Sequence, residues 1–162
     1  MMKFDNLYDL FLGEIQDLYD AEHQIVEALP KMHEAATSSE LQDAFQQHLK
    51  QSKMHIKRLE NVFEILGESA EREPCEAMQG LIAEEDEIIE ENEPSSVLDA
   101  ALIAAAQRVE HYEIAGYGTV RTYAQILDYN DAVDILQQTL DEEGETNKLL
   151  TGLAMRVNPQ AV

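Results

Sequence analysis

The chain has 162 residues, 44% of them apolar, and 33 acidic side chains against 11 basic ones give it a formal charge of −22. That apolar content suits one core and so one domain over residues 1–162, while the charge repels phosphate backbones and anionic lipid and excludes nucleic acid and membranes as partners. The longest apolar run falls short of the ~18 residues of a membrane span. The start, Met-Met-Lys-Phe-Asp, lacks a signal core, and the single Cys75 cannot form an internal disulfide, so a soluble cytoplasmic protein is expected.

Helix formers dominate, and glycine and proline fall mostly where one segment hands over to the next, which predicts an all-α chain. A first helix is expected over Phe4–Ala36, kinked at Pro30, where a backbone donor is lost. Thr37-Ser38-Ser39 breaks it, and Ser39 with Gln42 has capping-box spacing for a second helix over Glu40–Leu66, stopped by Gly67. After a polar stretch, Cys75–Glu91 forms a shorter amphipathic crossover helix carrying Met78, Leu81, Ile82, Ile88 and Ile89 and ending before Pro94. Ser95 or Ser96 caps a third bundle helix over Val97–Asp128, and Tyr129-Asn130 turns into a fourth over Asp131–Arg156.

Two short turns demand antiparallel neighbours, whereas the 29 residues from Gly67 to Ser95 can travel the length of a bundle. The expected fold is therefore a ferritin-like four-helix bundle, two antiparallel hairpins joined by one crossover.

Each bundle helix carries a seam of three- and four-residue spacing that turns polar at mid-height. The first reads Phe11, Ile15, Leu18, Glu22, Ile25, Leu29, Met32, and the second Leu41, Phe45, His48, Ser52, His55, Leu59, Val62, Leu66. The third reads Ile103, Ala106, Glu110, Glu113, Tyr117, Val120, Ala124, Leu127, and the fourth Val133, Leu136, Leu140, Glu143, Asn147, Leu150, Ala154. Counted from the first turn near Ser38, Glu22 lies 16 residues back and His55 17 forward; from the second near Tyr129, Glu113 lies 16 back and Glu143 14 forward. At ~1.5 Å per residue these side chains share one level.

Unpaired charges gathered in a core would cost several kcal/mol each, and no lysine or arginine lies on the seams near the centre. A hard cation is the remaining counter-charge, and oxygen-dominated ligation with imidazole suits iron or manganese, with zinc as a substitute. The expected ligands are Glu22, His55, Glu110, Glu113 and Glu143. Without a cation, crowding and burial should raise the pKa of all four carboxylates.

Three stretches resemble the YciF-like stress proteins of the ferritin-like superfamily: Leu18-Tyr-Asp-Ala-Glu22 with Ala28-Leu-Pro-Lys-Met32, Asp99 to Ala115 with its Glu110-His-Tyr-Glu113, and Leu136 to Glu143. The resemblance covers residues 3 to 154 and implies a homodimer of bundles, a rubrerythrin-like site for two metal ions, and a role in stress response. In that superfamily two helices each give a Glu and two give Glu-x-x-His. Glu22 and Glu110 match the single glutamates, Glu113 an extra one, His55 the second helix's histidine and Glu143 the fourth helix's glutamate. Ser52 and Thr146 replace the remaining Glu and His, and Gln51 stands where related chains commonly have Glu.

Two functions fit this sequence. One is a di-iron or di-manganese protein acting on peroxide or oxygen, with Tyr19 and Tyr112 placed to donate hydrogen bonds to the ligands. The other is a non-enzymatic stress protein whose metal only staples the bundle. The sequence assigns no role to Glu142.

Overall fold

A computed structural model describes residues 3–162. Short polar side chains start most of its helices, because the first backbone N–H groups of a helix need acceptors. The helices are α1 (Leu7–Ala35), α2 (Ser39–Leu66), α3 (Glu76–Glu91), α4 (Ser96–Ile126) and α5 (Asn130–Val157), followed by a 3₁₀ turn at Asn158–Ala161. Asn6 accepts from Asp9 N–H at 2.9 Å, Cys75 Sγ from Met78 N–H at 3.4 Å and Ser95 Oγ from Leu98 N–H at 3.2 Å. At α2 the cap is Ser38, which accepts from Leu41 N–H at 3.4 Å, and not the expected Ser39, already the first helical residue. Gln42 serves the turn differently, donating to the Ala36 carbonyl at 2.7 Å.

The helix ends follow from conformations few residues adopt. Gly67 closes α2 at φ 74°, as expected. The third bundle helix stops at Ile126 rather than Asp128, because Asp128 turns left-handed at φ 63°, a conformation Asp tolerates better than most side chains, and Tyr129 N–H closes onto the Ala124 carbonyl at 2.9 Å. α1 runs unbroken across Pro30.

The hairpins α1–α2 and α4–α5 pack side by side, with α1 against α4 and α2 against α5, and α3 lies over α1 and α4. The crossover spans the bundle. Tyr8, at the start of α1, donates to Glu68 just beyond α2, whereas Asp99 in the first turn of α4 sits at the other end, on the α1–α2 turn. Asp99 is buried there and accepts from Thr37 N–H at 2.7 Å, Thr37 Oγ1 at 2.6 Å and Ser38 N–H at 2.9 Å.

The polar connection into α3 is held by buried Asp20, which accepts from Cys75 N–H and Arg72 Nε, each at 2.8 Å, and from Gln24 at 2.6 Å. Burial alone would raise the Asp20 pKa, but these donors hold it below the ordinary value. Gly116 lets α4 approach α1, since a Cβ there would lie 2.7 Å from Leu18 Cδ2.

Two apolar clusters fill the bundle. Phe11, Ile15, Phe63, Val120 and Leu136 belong to one, and Ile25, Met32, Phe45, Ile103 and Leu150 to the other. Leu81, Ile82, Ile88 and Ile89 of α3 pack on the second. The seams of α1, α2 and α4 are buried as expected except at their last rungs, Leu66 and Leu127. On α5 the buried line is Ala132, Leu136, Thr139, Glu143, Thr146, Leu150, Leu153 and Val157. Val133, Leu140, Asn147 and Ala154 flank it instead, because α5 is turned by part of a residue step so that two threonines face inward.

Candidate metal centre

The polar interruptions of the four seams meet between the two apolar clusters. Glu22 of α1, His48 and His55 of α2, Glu110 and Glu113 of α4 and Glu143 of α5 are each at most 3% exposed, so water cannot solvate their charges. All five expected residues lie in this cluster, together with His48, which faces inward two turns before His55.

One group of four donor atoms comes from Glu22, His55, Glu113 and Glu143, and another from His48, Glu110, Glu113 and Glu143; within each, the atoms lie within 4.8 Å of one another. Glu113 and Glu143 belong to both. Two terminal glutamates, two imidazoles and two shared carboxylates thus surround two adjacent positions.

On the α1 side, His55 Nδ1 is 3.0 Å from Glu22 Oε1 and 2.9 Å from Glu143 Oε1, and Tyr117 donates to Glu22 Oε1 at 2.6 Å. On the other side, His48 Nδ1 is 3.2 Å from Glu110 Oε1 and its Nε2 3.8 Å from Glu113 Oε2. Several of these approaches are close but poorly directed. Glu22 Oε2, His48 Nε2 and both oxygens of Glu110, Glu113 and Glu143 are buried with no hydrogen-bond partner among the described residues. Buried polar atoms are rarely left so, and eight in one cluster fit a site built for cations. The cluster could hold metal.

Outside it, Arg58 donates to both oxygens of Glu142, each at 2.8 Å, and Glu142 Oε2 meets His55 Nε2 at 2.8 Å. A carboxylate on Nε2 favours the proton there and turns Nδ1 toward the cluster. Thr146, standing where the family resemblance puts a histidine, shares its one hydroxyl proton between Gln51 Oε1 at 3.2 Å and the Glu142 carbonyl at 3.0 Å. Gln51 and Thr146 thus meet each other, and buried Ser52 Oγ has no partner among the described residues.

The expected tyrosine donors are corrected. Tyr19 donates to Glu60 at 3.0 Å and Tyr112 to Asp17, both away from the ligands, because each lies one position off the inward seam. Tyr117, on the seam, supplies the hydrogen bond instead.

The expectation that all four carboxylates are raised is corrected as well. Burial and its charged neighbours push Glu113 well above the ordinary range, and burial with the adjoining Glu143 does the same to Glu110. Burial alone would also raise Glu143, but the protonated Glu110 and the His55 imidazolium beside it hold it low. Burial would lower His55, yet Glu22 and Glu143 push it up to about 10, whereas His48, with weaker compensation, is lowered. The crowding is relieved by sharing protons unequally among the groups.

A family model described as a domain of unknown function, DUF892, matches residues 6–162. The chain belongs to the DUF892 family. It is similar to Protein YciF of Escherichia coli strain K12, 44% identical over 99% of this chain and 98% of the relative. The crystal structure of the E. coli stress protein YciF matches with a TM-score of 0.93 at 42% identity, covering 97% of this chain and 99% of that one. YcfI from Rhodopseudomonas palustris follows at 0.89 and 42%, covering 93% and 98%. A Xanthomonas campestris protein, 16% identical with a TM-score of 0.72 over 94% and 93%, shares the fold. Membership in the YciF-like stress proteins agrees with the helical bundle.

Proposed function

We propose that the cluster is a dinuclear iron or manganese centre, and that this YciF-like chain acts in stress by reacting with peroxide or oxygen there. The observation that carries the reading is the membership of Glu113 and Glu143 in both groups of donor atoms. Glu22 and His55 would help to hold one ion, Glu110 and His48 the other, and Glu113 and Glu143 would offer donor atoms to both. When bound, two such ions would supply the two electrons that reduce a small oxidant such as peroxide, one from each ion.

The residues around the site have definable work. Arg58 and Glu142 orient His55, and Tyr117 fixes one oxygen of Glu22 so that the other stays available. The apolar clusters on either side exclude bulk water and strengthen each charge interaction between them.

Metal analysis of protein purified without chelator or affinity tag tests the reading. The expected content is about two ions per chain, with Glu113→Gln losing both and Glu22→Gln or Glu110→Gln about one. A content below about one, with no uptake on titration, overturns it. Metal that binds but does not change oxidation state with peroxide would favour the purely structural role.

A further inference from the structure

Glu85 has no part in the cluster, yet it is 1% exposed on the inner face of α3, and its Oε1 has no hydrogen-bond partner among the described residues. It lines a cavity of about 10 Å³ with Ile25, Ala28, Ile82, Ala106 and His48. α3 packs on α1 and α4 whereas His48 belongs to α2, so this cavity passes between α1 and α4 at small residues on both. Ala28 and Ile82 also line an outer cleft of about 260 Å³ with Gln24, Glu27, Lys31 and Asp86. Those two side chains are shared by a polar cleft and by the smaller cavity that reaches a proposed ligand.

We propose that the cavity binds one water molecule between Glu85 and His48, and that cleft and cavity together form the entry route for small uncharged polar molecules to the metal centre. The entry function rests on the dinuclear reading; the water site does not. A cavity of this size is at the lower limit for one water, which also needs polar partners, and Glu85 Oε1 and the His48 ring supply them. The other named walls are apolar, which disfavours ions and leaves Glu85 as a positioning residue for neutral hydrogen-bonding molecules. Burial pushes the Glu85 carboxyl up to about 8, so it is mostly neutral at pH 7 and can donate as well as accept.

High-resolution crystals of the protein as purified, and of Glu85→Leu and Glu85→Gln, test the water site. Wild type and Glu85→Gln should show one ordered water between residue 85 and His48, and Glu85→Leu none. A dry wild-type cavity, or a water that survives Glu85→Leu, overturns it. For the route, iron-loaded Ile82→Phe is mixed with hydrogen peroxide and compared with Ile88→Phe, which also thickens α3 but lines neither space. Ile82→Phe should slow iron oxidation about tenfold with iron content unchanged, and the control should match wild type. Equal rates in both variants overturn the route. Wild type that binds no metal removes the dinuclear reading and the entry function with it, and leaves the water result to stand by itself.

Discussion

Arg58 grips Glu142 through two parallel hydrogen bonds of 2.8 Å, and that carboxylate is the one that reaches His55 Nε2. A planar guanidinium fixes both oxygens, which a lysine could not do. Arg58→Met should leave the fold intact and weaken manganese binding about tenfold to a hundredfold, because Glu142 then no longer orients the imidazole. Competition titration against a chelator of known affinity measures it. An affinity equal to that of wild type would mean the clamp only joins α2 to α5.

Metal uptake should release protons. Their surroundings raise the pKa of His55, Glu110 and Glu113 above the ordinary values, so each binds a proton more strongly than it would in water. A cation displaces those protons, so affinity should fall as pH falls. Calorimetry of manganese binding in buffers of different ionisation enthalpy should give about two to three protons released per chain near pH 7. Release near zero would show that the acidic groups are already ionised and their burial less severe than the geometry implies.

Glu85 should make the protein less stable as pH rises. Its folded-state pKa of about 8 lies above the ordinary 4.5, so between these values the folded chain binds more protons than the unfolded one. That stabilisation is complete below the unfolded value and is lost as pH climbs through the folded one. The slope from this residue alone approaches about 1.4 kcal/mol per pH unit. Glu85→Gln should remove it, which urea melts at about pH 5.5 and about pH 7.5 would detect, with exposed Glu71→Gln as a control for surface charge. Parallel pH trends in Glu85→Gln and wild type would place the carboxyl in water.

Homodimerisation, implied by the family resemblance, is our proposal. Leu81, Ile82, Ile88 and Ile89 of α3 are partly buried against the core, whereas Met54 of α2, Val97 and Ile126 of α4, and Leu149 and Met155 of α5 are among the large apolar side chains left exposed. Sedimentation at micromolar concentration should show a dimer strengthened by salt, which screens the repulsion between two chains of charge −22. A monomer at high salt would refute it.

The helices, the crossover and the level at which carboxylates interrupt the core were legible in the amino-acid sequence, because a 3.6-residue period and a fixed rise per residue convert spacing into facing and height. Counting from two turns was enough to bring Glu22, His55, Glu113 and Glu143 together. His48 also carried a signal, its inward register two turns before His55, but facing inward does not distinguish a core histidine from one that meets Glu110.

Other features depended on how the helices are rotated and stacked. The inward turn of α5 buries Thr139 and Thr146, and the one-position offset of Tyr112 sends its hydroxyl to Asp17. Periodicity locates a face to within about a residue step, whereas a hydrogen bond is decided over fractions of an ångström. The opposite pKa shifts of Glu110 and Glu143 have the same origin, since they follow from burial and from which charged groups stand beside each carboxylate. Glu85 was hidden most completely. On its own helix it reads as one more acid in an acidic run, and only the docking of α3 across the gap between α1 and α4 turns it inward toward His48.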